Sequence, residues 1–240
     1  MKSIVLIIGI IIGCVSSSAK TLIVYYSYTN NIERIVNELS SQIEADVVEI
    51  EPAEKGLDYA ADNYAIGSAQ IGAIKNNPED SSSYPAIDPV NVNLDEYDVI
   101  IVAAPLWWSQ MAAPLQTYLF HNGKDMTGKN IGLIVSSASS GISGVEADAK
   151  RLIPDGHFLH PSLWIRSSQT SNASSMLENW LREIGYEKLT TGIDSVSKDE
   201  APDFTIYTLS GKQLVYKSKS INSLQAGIYI INGNKTYITR

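Results

Sequence analysis

Continuous apolar runs alternate with amphipathic stretches over residues 21–184 of this chain, and this alternation constrains its fold more than any other feature. Thr21–Tyr26 and Val99–Ala104 are β-rich runs without polar alternation, as expected for strands that are buried on both faces. After the first run, residues 31–43 carry an apolar stripe at helical spacing, formed by Ile32, Ile35, Val36, Leu39 and Ile43. The alternation predicts an α/β domain whose parallel sheet is covered by helices on both faces.

The same two patterns locate five strands and five helices along the chain. Strands are predicted at residues 21–26, 46–50, 99–104, 130–136 and 158–165, and helices at residues 31–43, 57–74, 112–120, 145–152 and 173–184. In an open parallel sheet, ligands bind beyond the carboxyl ends of the strands, near the switch in strand order. The loops after the first, third and fourth predicted strands are therefore the candidates for a functional site.

The charge balance and the reactive side chains exclude several classes of protein. The chain has 18 Lys+Arg against 26 Asp+Glu, a net charge of −8, so it lacks the positive charge with which nucleic-acid binders neutralise phosphates. Its 1 cysteine, Cys14, and its 3 scattered histidines form no cluster with zinc-ligand spacing. We therefore predict no nucleic-acid partner and no metal site, and we expect chemistry that uses an organic cofactor or ordinary side chains.

Residues 1–19 have the pattern of an export signal, with a short positive start, an apolar run at residues 4–12 and small residues before Ala19. The apolar run is too short for a membrane-spanning helix, which needs about twenty residues. Two processing sites stay open, because residues 11–14 also resemble a bacterial lipobox in which Cys14 is acylated, and the alternative is cleavage after Ala19. We expect an exported protein in the periplasm, in the outer membrane as a lipoprotein with a lipid anchor at Cys14, or at the cell surface.

The first candidate loop, residues 27–32, joins a buried strand to the start of a helix. The N–H groups at a helix N-terminus point outward and carry partial positive charge. Ser27, Thr29 and Asn31 surround these groups with hydroxyls and an amide, which predicts a phosphate cradle that needs no lysine or arginine. The alternative is that Thr29 or Asn30 only caps the helix.

The second candidate loop contains two consecutive tryptophans, Trp107 and Trp108, just beyond a buried strand. Adjacent residues of an extended segment face opposite ways, so we expect at most one indole to pack beneath the sheet and the other to line the cleft. A flat indole surface suits stacking on a planar ring. For a single tryptophan, packing in the core remains the alternative.

The third candidate loop, residues 136–144, is rich in serine and glycine and would let backbone N–H groups approach a ligand closely. The alternative is a flexible surface loop. A serine nucleophile is disfavoured here, because residues 141–145 lack the final glycine of the G-x-S-x-G motif and no histidine is predicted beside Ser143.

Taken together, these three loops resemble those of the flavodoxin family, in its bacterial branch with a double-tryptophan loop. Tyr26-Ser27-Tyr28-Thr29-Asn30-Asn31 is similar to the Y-S-x-T-G-N-T phosphate loop of that family, and Pro105-Leu106-Trp107-Trp108-Ser109 is similar to its P-I-W-W-G segment. The resemblance covers residues 20–187 and implies a five-stranded sheet of order 2-1-3-4-5 that binds FMN noncovalently at its strand ends.

The resemblance also implies which residues contact the cofactor. The phosphate would be held by Ser27, Thr29, Asn30, Asn31 and Ile32. The isoalloxazine ring would be flanked by Pro105, Leu106, Trp107, Trp108 and Ser109, with an opposite wall formed by Ser139, Ser140 and Gly141.

Three positions depart from the family pattern. Asn30 and Ser109 stand where the family has glycine, and Ile32 stands where it has threonine. Asparagine adopts positive φ more readily than other non-glycine residues, so the phosphate turn is compatible with Asn30. The hydroxyl missing at Ile32 should weaken phosphate binding by about 0.5–1.5 kcal/mol, the net contribution of one hydrogen bond.

The composition changes beyond the helical region, where residues 188–202 are polar and acidic and are predicted to form a linker. Two hairpins with glycine-containing turns are predicted within residues 203–240, which form a small β appendage. Through its L-S-G-K and A-G-I-Y-I-I-N-G-N-K segments, this tail resembles the C-terminal β-domain that Bacteroidetes cargo proteins carry for type IX secretion.

The sequence therefore predicts an exported FMN-binding protein that acts in electron transfer, with a redox protein or a small quinone or flavin as its partner. Two alternatives stay open. The first is an NAD(P)H-dependent quinone or flavin reductase, although the sequence shows no basic pocket for a nicotinamide phosphate. The second is a cofactor-free binding module on the cell surface, which the Asn30 and Ile32 departures and the added β tail support.

Overall fold

A computed structural model of the chain describes residues 19–191, 204–208, 210–218, 224–231 and 234–238. The chain divides into two compact units, Met1–Ile193 and Asp194–Arg240. Residues 1–18, which hold most of the predicted leader and Cys14, lie outside the described residues. Ala19, the last residue of the predicted leader, is the first described residue. Within the described residues, no helix is both long enough and apolar enough to cross a membrane.

The first unit alternates strands and helices along its whole length. Its strands are β1 (Thr21–Tyr25), β2 (Asp46–Glu49), β3 (Val99–Trp107), β4 (Gln110–Met111), β5 (Asn130–Ser137), β6 (His157–Phe158) and β7 (Leu163–Arg166). Its helices are α1 (Asn31–Ser40), α2 (Ala61–Asn76), α3 (Ala113–Asn122), α4 (Ser143–Leu152), α5 (Ala173–Glu183) and α6 (Tyr186–Thr191). The last of these helices is absent from the prediction and continues past residue 187, where we expected the domain to end.

The main sheet has the order β2-β1-β3-β5, and β6 and β7 follow one another along the outer edge of β5, β6 at its start and β7 at its end. All of these pairings are parallel, so the predicted α/β fold with a parallel sheet is confirmed. The order differs slightly from the predicted 2-1-3-4-5, because the short β4 pairs with β3 and two short strands occupy the place of the fifth. The fifth strand is not continuous over residues 158–165, as we expected, because it is split into β6 and β7. Pro161 lies in the gap and has no N–H with which to continue the ladder.

The two faces of the sheet pack against different helices. Along β3, Ile100 and Val102 point into the cluster that includes α2, α3 and α4, whereas Ile101 and Ala103 point into the cluster that includes α1 and α5. All four side chains are fully buried. This two-sided burial explains why the strands are continuous apolar runs rather than alternating ones.

Strand β3 continues three residues beyond its predicted end at Ala104 because the chain folds back into a tight hairpin. Leu106 pairs with Met111 and Trp107 pairs with Gln110, so that Trp108 and Ser109 form a two-residue turn. Both turn residues have positive φ, 47° and 64°, as a type I′ hairpin turn requires. The hairpin carries the tryptophan pair to the carboxyl end of the sheet.

Helix α2 begins later than its predicted start at Leu57. Asp62, Asn63 and Tyr64 have φ values of 48°, 57° and 63°, so regular helical geometry begins only after Tyr64. Asparagine and aspartate enter the left-handed region at modest cost, whereas a bulky residue such as tyrosine rarely does. This turn places two tyrosines, Tyr59 and Tyr64, at the carboxyl end of the sheet.

The second unit is a four-stranded antiparallel sheet. Its strands are β8 (Phe204–Thr208), β9 (Gln213–Ser218), β10 (Gly227–Ile231) and β11 (Asn234–Ile238), in the order β11-β10-β8-β9. Both predicted hairpins are present, and pairing of β10 with β8 joins them into one sheet. Among the described residues of this unit, the buried apolar cluster consists of Ile206, Leu224 and Ile231. Residues 192–203, most of the predicted linker, lie outside the described residues.

Candidate cofactor-binding site

A cavity of about 680 Å³ lies at the carboxyl ends of β1, β3 and β5 and is lined by all three candidate loops. The first loop contributes Ser27, Tyr28, Thr29, Asn31 and Ile32, the second contributes Pro105, Leu106, Trp107 and Trp108, and the third contributes Ser136, Ser137 and Ala138. Its volume falls within the range of about 300–1,000 Å³ that is typical of sites for small ligands and cofactors. The cavity therefore lies at the carboxyl ends of the strands, where the sequence predicted a ligand site.

The first loop forms a left-handed turn that leads directly into α1. Asn30 has φ 61° and ψ 7°, so it adopts the conformation that the family's glycine would supply. Its side chain makes no capping hydrogen bond. The Glu33 N–H instead donates to Ser27 Oγ at 3.2 Å, and Asn31 Nδ2 donates to Thr29 Oγ1 at 3.1 Å. Asn30 itself does not line the cavity, so its contribution to the loop is conformational.

Both tryptophans border the cavity, in the place that the family resemblance implied for them. Trp107 is half-buried among aromatic rings, with centroid distances of 4.8 Å to Tyr59 and 5.6 Å to Tyr26. Trp108 is 46% exposed, and its ring centroid lies 6.4 Å from that of Tyr64. Trp107 also packs against the core cluster that includes α2, α3 and α4, whereas Trp108 lies in the hairpin turn.

Gly67 of α2 lies against both indoles, so we expect a methyl group there to disturb the aromatic wall. A Cβ at position 67 would lie 2.9 Å from Trp108 Cζ3 and 3.5 Å from Trp107 Cε3. We expect Gly67→Ala to alter tryptophan emission in the ligand-free protein and to weaken FMN binding about tenfold, equivalent to about 1.4 kcal/mol. Gly72→Ala on the same helix is the matched control, because nothing lies within 4 Å of its added Cβ. Equal effects of the two substitutions on emission and binding would contradict this packing.

The third wall lies closer to the sheet than we expected. Ser139, Ser140 and Gly141 do not line the cavity, and neither does Ser109. The cause is Ser137, whose Oγ donates to the Ser140 carbonyl at 2.9 Å and accepts from Trp164 Nε1 at 2.9 Å. These two bonds turn the loop back after Ala138, so that the wall is built from residues 136–138.

Five lining residues lie outside the three candidate loops: Tyr59, Ala60, Tyr64, Gly67 and Ser167. Ser167 follows β7 directly, and extending the strand-end rule to the fifth strand would have found it. Tyr59 is held near the first loop, because Tyr28 Oη donates to Asp58 Oδ1 at 3.2 Å and accepts the Ala60 N–H at 3.0 Å. No motif marks residues 59–64, so sequence patterns gave no signal for Tyr59 and Tyr64.

The cavity presents neutral polar groups and aromatic rings. Within residues 19–191, none of the side chains that line it is charged. Burial raises the pKa of the Tyr59 hydroxyl, and burial likewise raises the pKa of the neighbouring Tyr26 hydroxyl, so both phenols stay protonated. In the described part of the chain, no group of three or more His, Cys, Asp or Glu side chains could hold a metal ion. The arrangement suits a planar ring with a short polar chain.

A buried polar network holds the tryptophan hairpin in place. Asp148 Oδ2 accepts the Met111 N–H at 2.9 Å, and Gln116 Nε2 donates to the Met111 carbonyl at 2.7 Å. Arg151 Nη2 joins the two by donating to Gln116 Oε1 at 2.9 Å and to Asp148 Oδ1 at 3.3 Å. Burial raises the pKa of the Asp148 carboxyl, and the Met111 N–H and the Arg151 guanidinium oppose that rise. Both backbone groups of Met111 are thus fixed to α3 and α4.

Comparison with solved structures supports the fold. A candidate flavoprotein from Bacteroides eggerthii is 22% identical, with a TM-score of 0.56 over 70% of this chain and 98% of that one. A candidate flavoprotein from Bacteroides uniformis is 23% identical, with a TM-score of 0.53 over 67% and 99%. A Lactobacillus acidophilus flavoprotein, crystallised in complex with FMN, is 22% identical, with a TM-score of 0.52 over 65% and 99%.

Sequence comparison assigns the family. A search of curated protein sequences finds no match to this chain. Residues 20–184, more than half of the chain, match the family model described as Flavodoxin. This match and the strand order support FMN as the predicted cofactor, and the chain belongs to the flavodoxin family.

Proposed function

We propose that this protein binds FMN noncovalently in the cavity and acts as an exported electron-transfer protein. One observation carries the proposal: the N-terminus of α1 and the paired indoles converge on a single uncharged cavity. When bound, the flavin ring supplies the redox chemistry. The chain's own residues bind the cofactor, orient it and limit its contact with water.

The cradle at α1 would hold the phosphate. Ser27, Thr29 and Asn31 place hydroxyl and amide groups around the first turn of the helix, whose N–H groups have no carbonyl partner within the helix. An anion is stabilised there by those N–H groups and by the helix dipole. The Asn30 turn supports this function, because it keeps the loop in the left-handed geometry without glycine.

The aromatic wall would hold the ring. Trp107 and Trp108 present indole surfaces to the cavity, and Tyr59 packs 4.8 Å from the Trp107 ring. Aromatic pairs in offset or tilted contact add about 0.5–1.5 kcal/mol beyond the area that they bury. A planar heterocycle bound between these side chains would be shielded from water on one side. Its other side would be accessible to a partner near the exposed Trp108.

An electron carrier fits the site better than a nicotinamide-dependent reductase. Recognition of a dinucleotide would call for positive side chains near its phosphates, and no Lys or Arg lines the cavity within residues 19–191. The reductase remains the second candidate, with a small quinone or flavin as its substrate. A cofactor-free binding module is the third, since Ile32 offers no hydroxyl to the cradle.

The two ends of the chain support a role outside the cytoplasm. The apolar segment before Ala19 supports export, with either a lipid anchor at Cys14 or cleavage after Ala19. The small core of the second unit supports a docking rather than a catalytic task for the tail, in keeping with its resemblance to a type IX secretion domain. The partner would be a redox protein that meets the exposed edge of the cavity, and nucleic acid is not among the partners we propose.

Turnover of the FMN-loaded protein separates these candidates. We expect reduced protein to pass electrons to a one-electron protein acceptor, whereas NADH and NADPH are expected to be oxidised no faster than by free FMN, with or without a quinone. Absorbance at 340 nm and acceptor reduction are the measurements. Rapid NAD(P)H oxidation that depends on quinone would instead establish the reductase, and a colourless protein that takes up no FMN would leave the binding module.

A further inference from the structure

Two residues that line the cavity, Tyr59 and Ser136, have a buried hydroxyl without a hydrogen-bond partner in the described part of the chain, and Ser136 is the one that lies on a strand of the sheet. Ser136, near the carboxyl end of β5, is only 4% exposed and lines the cavity. Its Oγ lies in the described part of the chain and makes no hydrogen bond there. Buried polar atoms are nearly always paired, and leaving one unpaired is destabilising. A ligand in the cavity is therefore a natural partner for this hydroxyl.

The neighbouring serine provides a direct contrast. Ser137 Oγ both donates to the Ser140 carbonyl and accepts from Trp164 Nε1, so its capacity is used by the protein itself. Successive residues of a strand point to opposite faces of the sheet. Both serines line the cavity, but the Ser137 hydroxyl is held by the protein, whereas the buried Ser136 hydroxyl is unpaired.

The strand register places Ser136 on the same side of the sheet as the phosphate cradle. Ser136 shares a face with Ile134, which belongs to the buried cluster that contains Ile32 of α1. Ser136 also pairs with Pro105 of β3 and Ile165 of β7, so it is flanked on both sides by strand ends. Ile32 brings no polar atom in its side chain, so a hydroxyl from β5 would add a hydrogen-bonding group on this side of the sheet.

We propose that Ser136 is a cofactor-binding residue whose hydroxyl hydrogen-bonds the polar chain of FMN, at its sugar-alcohol or phosphate oxygens, beside the α1 cradle. The inference rests on the proposed FMN site and adds to it a residue from β5. The hydroxyl can donate to either kind of oxygen, because it is both a donor and an acceptor. Binding would remove the penalty of an unpaired buried group.

The test compares Ser136→Ala with Ser137→Ala in the full chain. We expect Ser136→Ala to leave the thermal stability of the ligand-free protein unchanged or slightly raised, because it removes an unpaired hydroxyl, and to weaken FMN binding about tenfold. We expect Ser137→Ala to lower the thermal stability of the ligand-free protein, because it breaks two hydrogen bonds. Quenching of flavin fluorescence gives the affinity, and a thermal melt without FMN gives the stability.

Riboflavin, which lacks the phosphate, identifies the contacted oxygen. Equal weakening of FMN and riboflavin binding by Ser136→Ala would place the contact at the sugar alcohol, and weakening of FMN alone would place it at the phosphate. The inference is overturned if Ser136→Ala binds FMN as tightly as the unaltered chain, or if it destabilises the ligand-free protein as much as Ser137→Ala does. The proposed function fails separately, and this inference with it, if the unaltered chain does not bind FMN.

Discussion

Thr29→Glu is expected to weaken FMN binding at least about 100-fold, because it brings a carboxylate into the cradle that should hold the phosphate. Two like charges about 4 Å apart repel by about 4 kcal/mol at the effective dielectric constant of a protein surface, and each 1.4 kcal/mol changes affinity tenfold. Thr29 lines the cavity and lies just before α1, so its replacement adds charge without removing a buried apolar side chain. Fluorescence titration with FMN measures the effect.

Two comparisons make this prediction specific to the phosphate. Asn37→Glu adds the same charge to the exposed side of α1, and we expect it to change FMN affinity less than threefold, since exposed charges are well screened. Riboflavin binding by Thr29→Glu should fall far less than FMN binding, because riboflavin carries no phosphate. If Thr29→Glu bound FMN normally, or weakened both ligands equally, the phosphate would not lie at this loop.

Asp148→Ala is expected to lower the free energy of unfolding by about 2–4 kcal/mol, the largest stability effect that we predict. The substitution leaves the buried Met111 N–H without its acceptor and removes the carboxylate beside Arg151. Losses of this size are typical when one member of a buried hydrogen-bonded ion pair is removed, and the partial exposure of Arg151 places this pair at the lower end. Denaturant unfolding monitored by circular dichroism provides the measurement.

The same substitution should also disturb the cofactor site, because Met111 anchors the hairpin that carries both tryptophans. We expect Asp148→Ala to shift tryptophan emission in the folded protein as well as to reduce its stability. Lys150→Ala, on the exposed side of the same helix, is the control, and its effect should stay within about 0.5 kcal/mol. A loss below 1 kcal/mol for Asp148→Ala would show that the network does not hold the hairpin.

The sheet and the first loop could be predicted because their sequence signals are local and physical. Apolar runs such as Thr21–Tyr26 identify strands with two buried faces, and the stripe from Ile32 to Leu39 identifies the buried side of α1. The strand-end rule then places the ligand site at the loops between them. Asn30 also followed its conformational preference, since its φ of 61° lies in the left-handed region.

The rest of the site depends on interactions that sequence patterns do not encode. A two-residue hairpin is usually marked by glycine or asparagine, and the Trp108-Ser109 turn carries neither. Residues 139–141 do not line the cavity, because the Ser137 hydroxyl donates to the Ser140 carbonyl and folds the loop back. Trp164, a residue distant in sequence, holds that hydroxyl in place. Tyr64 reaches the cavity through a left-handed turn with no sequence signature.

The most direct test of this account is a titration of FMN against the ligand-free chain beginning at Lys20, followed by quenching of both flavin and tryptophan fluorescence. If the cradle and the indoles hold one cofactor, quenching will saturate at one FMN per chain, and the protein will stay yellow through gel filtration. Flavin emission that remains unquenched at every protein concentration, with a colourless protein peak, would contradict the account.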